Sequence, residues 1–563
     1  MIRQIGGSVF CRVLAVPALV IGLAACAGPA PELDDLAHNA RPVGARVAFE
    51  QPPEVLERFF PDPQVTLDTP AFRGETALTD YEQMTDFIAS LRQRSANLHV
   101  LTLGYSQQGR RIPMLVFTTA PGGTAQNLLN TDKPTVWIHA QLHGNEPAGG
   151  EGALALASEL TGSMAHVLDR LNVVVVPRVN VDGSVEFERH TADSRDLNRD
   201  ALRLDVQESL ALRRTNIAYR PVVTVDAHEY SAARDAMVLE GQDRYLESHD
   251  MLIQGAENPN VPLGVRQLTQ SLFIDAVRRD LASADMSAHE YFIARTRVAE
   301  ESGETENIDL YAGGTAARIG RNFHGLLNQV SILLESRGIG IGLQSYRRRV
   351  YSHLLAMRSI VDSAWREADQ VQRVLQEVTA EVVARGAVVG DDDPLVLQAS
   401  HNKGHRYQMP YINAQTGRPE RLPTTYHRYN PAIAKLTRER PYAYILPPEA
   451  EPAVMRLKLF GIRVVPLHDA GTMSVQAYRV AGREVDKRAY EGVLRNRVKV
   501  KLEELTVAIP AGSHIVYLAQ PLGNLAAELL EPECGDSFVT FGVLTSNPDG
   551  LLPVYRYMEP LSV

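Results

Sequence analysis

The chain has 563 residues, 45% hydrophobic and 22% charged, with a formal net charge of −10. This is enough chain for two or three domains with substantial cores, and the acidic balance offers no footing for a nucleic-acid partner. Three cysteines, at positions 11, 26 and 534, are too few for a disulfide framework, and Cys534 reads as a buried thiol.

In chain order, residues 1–25 read as a signal peptide, separate from the fold. Arg3 and Arg12 precede the apolar residues 13–25, a stretch too short to span a bilayer. It ends in Leu23-Ala24-Ala25-Cys26, which looks like a bacterial lipobox, with Cys26 lipidated as the first residue of the mature chain. Ala27, where Asp would mark inner-membrane retention, favours the outer membrane facing the periplasm. The expectation is an envelope protein held to the membrane by its lipid alone; an ordinary cleaved signal is the competing reading. Residues 26–70, rich in Pro, Ala and acids, read as a tether and lead-in. Residues 80–93 have helical periodicity and 100–118 suggest two strands, after which apolar runs alternate with helical segments to residue 374. That pattern predicts an α/β region over 71–374 with a mixed sheet, closed by an amphipathic helix at 344–374. Residues 375–563 carry short β-rich runs (462–465, 475–480, 515–518) and helices (452–460, 522–530). They are expected to form a smaller α/β or β-rich accessory domain of unassigned role.

Three apolar runs of the central region lead into polar residues. Residues 136–138 precede His143-Gly144-Asn145-Glu146, residues 221–225 precede Asp226 and His228, and residues 330–334 precede Glu335. Polar side chains near a core are costly unless paired or coordinated, and strand ends deliver side chains into clefts. One His-x-x-Glu occurs by chance in many chains. Two imidazoles with a carboxylate, however, can hold a catalytic zinc in three positions and leave a fourth open. His143, Glu146 and His228 are therefore the candidate metal ligands, and Glu335 the candidate base. Other motifs are discounted. Asn547-Pro548-Asp549-Gly550 reads as an ordinary turn, His401 and His405 flank helix-breaking residues, and Asp391-Asp392-Asp393 reads as a solvated loop. There is no Gly-x-Ser-x-Gly elbow and no phosphate-binding Gly-Lys-Ser loop.

The ordered set His143/Glu146, Asn180-Val181-Asp182-Gly183, Arg189, Asp196-Leu197-Asn198-Arg199, His228 and Glu335 resembles the zinc metallocarboxypeptidases of the carboxypeptidase A family. The likeness covers about residues 77–356, roughly half the chain, and includes an early turn, Leu103-Gly104 to Gly109-Arg110. Val181 stands where the family usually has Pro. The resemblance implies an eight-stranded mixed sheet flanked by helices, one Zn2+ ion and a peptide substrate. It further implies that Glu335 moves the proton, Arg189 stabilises the oxyanion, Asn198 and Arg199 grip the substrate's terminal carboxylate, and Asp196 orients His143. Tyr311 is either the family's mobile capping tyrosine or a packing residue. Arg318 and Arg321 fall where the family lines its side-chain pocket, and an inward Arg favours acidic C-terminal residues; both are otherwise structural. The expected activity is removal of C-terminal residues from peptides in the cell envelope. The alternatives are hydrolysis of peptidoglycan stem peptides, deacylation of N-acyl amino acids, and an inactive envelope binding protein.

Overall fold

The structure, a computed structural model, describes residues 50–233, 245–298, 305–390 and 393–559, all within one unit spanning Pro42–Val563. The expected signal peptide, residues 1–25, and Cys26 lie outside the described residues. Of the lead-in, residues 50–70 are folded: a helix Pro53–Phe59 buries Val55, which packs with Phe60 against Leu246 and Ile412.

The central sheet has eight strands: β1 (Leu98–Tyr105), β2 (Arg111–Phe117), β3 (Thr135–Ala140), β4 (Asn172–Val176), β5 (Val223–Ser231), β6 (Met251–Gln254), β7 (Ala288–Glu290) and β8 (Val330–Ile339). Their spatial order is β1-β2-β4-β3-β5-β8-β6-β7. The sheet is mixed, as expected: β4, β3, β5 and β8 run parallel, while β1–β2, β2–β4 and β8–β6 are antiparallel. Alternate residues of its inner strands feed two separate cores. Val136, Ile138, Val173 and Val175 point into one layer, and Trp137, Val174 and Val176 into the other. Burial on both faces explains why these strands read as unbroken apolar runs.

Local chemistry sets the helices. Asp80 begins Tyr81–Arg94 with a reciprocal capping box to Gln83, and Met84, Phe87, Ile88 and Leu91 form its buried stripe. Helix Pro147–Leu160 lies so close to Tyr346–Arg366 that a Cβ on Gly152 would sit 2.7 Å from that of His353. The closing segment is two helices, Tyr346–Arg366 and Ala368–Gly386, broken at Glu367, where φ is −110° and ψ is 28°.

The boundary expected at residue 374 falls inside the second of these helices. Beyond it the chain returns to its earlier half: His405–Asn413 and Pro419–His427 share a five-stranded sheet with Tyr245–Glu247, Phe292–Val298 and Thr305–Ala312. Thr305–Ala312 and Pro419–His427 run parallel, with Tyr311 opposite His427. The remaining C-terminal strands form a six-stranded sheet and a two-stranded one. Tyr444, Leu518, Leu525 and Val554 join the same buried cluster as Ile138 and Leu354, so the strand-rich C-terminal region shares the main core. Cys534 is a buried free thiol, as expected.

Candidate metal centre

After β3 the backbone turns at Gln141, which takes a left-handed φ of 54°. Its side chain accepts from Arg178 (2.9 Å) and donates to the Gly144 carbonyl (2.9 Å), folding the His143 loop onto itself. A Cβ at Gly144 would overlap the backbone of Gly183. Gly144→Ala is therefore expected to displace this loop, lowering stability by about 1–3 kcal/mol and the bound zinc per chain. Calorimetry and metal analysis read both, and wild-type zinc content in the variant would refute the packing argument.

The Asn180 motif fixes the neighbouring segment. Asn180 caps helix Val181–Glu186 by accepting from Gly183 N, and its amide donates to the carbonyls of Arg189 (3.3 Å) and His190 (3.1 Å). Asp182 accepts from Ser106 (2.7 Å) and the Gln108 backbone (2.9 Å), anchoring the early turn.

These supports bring His143, Glu146 and His228 together, all nearly fully buried. Glu146 Oε1 lies 2.8 Å from His143 Nδ1, and its Oε2 lies 2.8 Å from His228 Nδ1. The two Nδ1 atoms are 3.0 Å apart. On the far side, His143 Nε2 is 3.1 Å from Asp196 Oδ1 and His228 Nε2 is 2.8 Å from Asp226 Oδ1. Carboxylates thus face both nitrogens of each ring, and these negative charges, against the opposing effect of burial, raise the basicity of His228. Two Nδ1 atoms and a carboxylate converge in a buried space, the atoms by which a cation could be held in place of the rings' inward protons. The donor set fits zinc, with carboxylates orienting both rings. Burial opposes the charges on Glu146 and Asp226, yet the neighbouring imidazoles hold both carboxyls below the usual range.

Glu335 stands opposite His228 in the β8–β5 register, which places both side chains on one face of the sheet. Arg189 Nη1 is 3.2 Å from both His143 Nδ1 and Glu146 Oε1, and its Nη2 donates to Asp196 Oδ2 at 2.8 Å. Asn198 packs its amide 3.1 Å from His228 Nε2 and accepts from Gly320 N at 2.9 Å. Its polar groups are thus engaged within the protein, while Arg199 is half-buried and donates to the Asn198 carbonyl at 2.9 Å. Tyr311 finds its ring partners elsewhere: it stacks on His427 at 4.6 Å and meets His401 edge-on at 5.2 Å. Arg318 turns toward the C-terminal region, donating from its backbone to Asp536 (2.9 Å) and from Nε to the Tyr490 hydroxyl (3.0 Å). Arg321 is buried and within electrostatic reach of Arg199 and Glu335. His401 packs on Tyr429, and among the described residues the only triad suited to a metal is His143, Glu146 and His228.

Sequence reasoning named Asp226 but gave it no role. Its signal was the two-residue spacing to His228 on one strand, which puts both on one face.

Residues 84–244 match the family model described as "Zinc carboxypeptidase". Carboxypeptidase 2 of Trichophyton tonsurans is 31% identical over 488 residues, covering 86% of this chain and 87% of that one. A probable carboxypeptidase 2 of Trichophyton verrucosum is 32% identical over 464 residues, covering 81% and 86%. A solved putative carboxypeptidase from Burkholderia mallei aligns with 50% of this chain and 68% of its own, at 20% identity and a TM-score of 0.37. The chain belongs to the zinc carboxypeptidase family. It is a metallocarboxypeptidase, a hydrolase of peptides.

Proposed function

We propose that the protein removes single C-terminal residues from peptides in a bacterial cell envelope, using water activated at one zinc ion with Glu335 as general base. The observation that carries this reading is the convergence of two Nδ1 atoms and the Glu146 carboxylate beside Glu335. Zinc held there supplies a positive centre that makes water acidic near neutral pH and polarises a carbonyl. Glu335 accepts the proton of the attacking water and returns it to the leaving amine. Arg189, reaching the inward edge of the triad, meets negative charge developing on the substrate carbonyl. The half-buried Arg199 offers a planar fork to the terminal carboxylate. The Leu23-Ala24-Ala25-Cys26 tetrapeptide supports an envelope location with the Cys26 lipid as the anchor. Among the described residues no helix is long and apolar enough to cross a membrane.

The test is mass spectrometry of a peptide library and of muropeptides, each incubated with the protein with and without a zinc chelator. Chelator-sensitive loss of single C-terminal residues supports the proposal. Cleavage of muropeptides alone transfers it to peptidoglycan stem peptides, and cleavage of neither sinks it.

Side-chain preference follows from Arg321. The residue is 4% exposed, and its guanidinium donates to the Gly314 carbonyl at 2.8 Å and makes no ion pair among the described residues. Substrates ending in Glu are expected to be favoured over Leu by about tenfold, the scale of one hydrogen bond to a charged group, and Arg321→Met is expected to abolish the difference. Glu257, also in electrostatic reach of Arg321, is pushed by burial and by Glu290 up to about 7. Below that pH it is neutral, and above it a negative charge opposes an acidic side chain. The Glu/Leu ratio of kcat/KM should therefore fall between pH 6 and 8; a ratio rising with pH contradicts the assignment.

A further inference from the structure

The strands Gly471–Val485 and Asn496–Ile509 pair along their whole length, and their hairpin continues into a tip where Asp486 N donates to the Arg495 carbonyl at 3.0 Å. Tyr490 and Val493 exchange backbone hydrogen bonds of 2.8 and 3.0 Å around Glu491 and Gly492. Both turn residues are left-handed, with φ of 49° and 80°, the geometry of a two-residue hairpin turn whose first position ordinarily takes Asn, Asp or Gly. Here that position is Glu.

Its carboxylate leaves the C-terminal region. Glu491 Oε2 accepts from the backbone N–H of Asp196 at 2.9 Å, and the Glu491 carbonyl accepts from Arg203 at 2.8 Å. Asp196 is the residue whose Oδ1 lies 3.1 Å from His143 Nε2 and whose Oδ2 accepts from Arg189 at 2.8 Å. The adjoining Tyr490 accepts from Arg318 Nε at 3.0 Å and lies under that guanidinium at 5.0 Å. Two residues beyond Arg318, Gly320 N donates to Asn198 at 2.9 Å. One turn, almost three hundred residues downstream, thus grips both loops that carry the metal-orienting and substrate-facing groups.

We infer that the hairpin tip at 490–493 is an integral part of the active site, with Glu491 a positioning residue that fixes Asp196 and, through it, the His143 imidazole. This rests on the metal reading of His143, Glu146 and His228. A group that orients a metal-binding histidine changes metal affinity by about 10–100-fold when lost; one step further removed, the effect of Glu491 is placed at the lower end.

The test uses the full chain carrying Glu491→Ala or Glu491→Gln. Zinc affinity of the metal-stripped protein is measured by chelator competition, and kcat and KM on one C-terminally cleaved peptide. Glu491→Ala is expected to weaken zinc binding about tenfold and lower kcat by a similar factor. Glu491→Gln, which keeps an oxygen acceptor, recovers most of both. Tyr490→Phe, which removes only the acceptor for Arg318, is expected to raise KM severalfold at unchanged zinc affinity, and it decides the matter if Glu491→Ala does not fold. Zinc affinity and kcat/KM within twofold of the unsubstituted protein in Glu491→Ala overturn the inference, as do equal losses in the Ala and Gln variants. If Glu491→Ala does not fold, unchanged KM in Tyr490→Phe overturns it. Failure of the unsubstituted protein to bind zinc overturns the metal centre itself.

Discussion

Glu335→Gln is expected to retain stoichiometric zinc and lose at least about a hundredfold in kcat, the range associated with a lost general base. Glu335 sits on β8 in register with His228 and is 9% exposed as a residue. The amide fills the same space, so the metal ligands and their partners should be undisturbed. The substitution removes a proton acceptor and leaves the fold, and little else in the site can substitute: Glu146 is occupied by both imidazoles and Asp196 by His143 and Arg189. Metal analysis together with turnover of a chelator-sensitive peptide decides it. Normal turnover in the zinc-replete variant would move the base to another residue.

Asp226→Asn is expected to weaken zinc binding about 10–100-fold while sparing much of the activity at saturating zinc. Asp226 is buried between two imidazoles, 2.8 Å from His228 Nε2 and 3.3 Å from His139 Nε2. Its negative charge raises the basicity of His228. An amide keeps the size but loses the charge, so His228 becomes a weaker base and a weaker ligand. Chelator competition separates this from a catalytic defect. A variant that binds zinc as tightly as the unsubstituted protein, or stays inactive when saturated, would show that Asp226 does not act through the metal site.

How far the sequence could be read depended on whether the information was local. The runs that became β3, β5 and β8 were visible because both faces of each are buried, and the polar residues that follow them marked the cleft. Asp80 and Gln83 announced the start of Tyr81–Arg94 within four residues. What escaped was contact between distant segments. Nothing near Glu491 announces Asp196, and nothing near Pro419–His427 announces a parallel partner at Thr305–Ala312. Tyr311, read as either a capping tyrosine or a packing residue, has as ring partners His427 and His401, supplied by residues expected to lie in another domain. The break at Glu367 was hidden for a different reason, since the apolar periodicity runs on through it and only the backbone angles change.

The parallel pairing of Thr305–Ala312 with Pro419–His427 has a consequence for how the protein is made. Parallel strands need a long crossover, and closing that loop must precede any reward from the contact. During synthesis, one side of Thr305–Ala312 therefore waits as an open strand edge until residue 427 has emerged, a template for association with other chains. A fragment ending at residue 374 would keep that edge permanently and should aggregate when expressed.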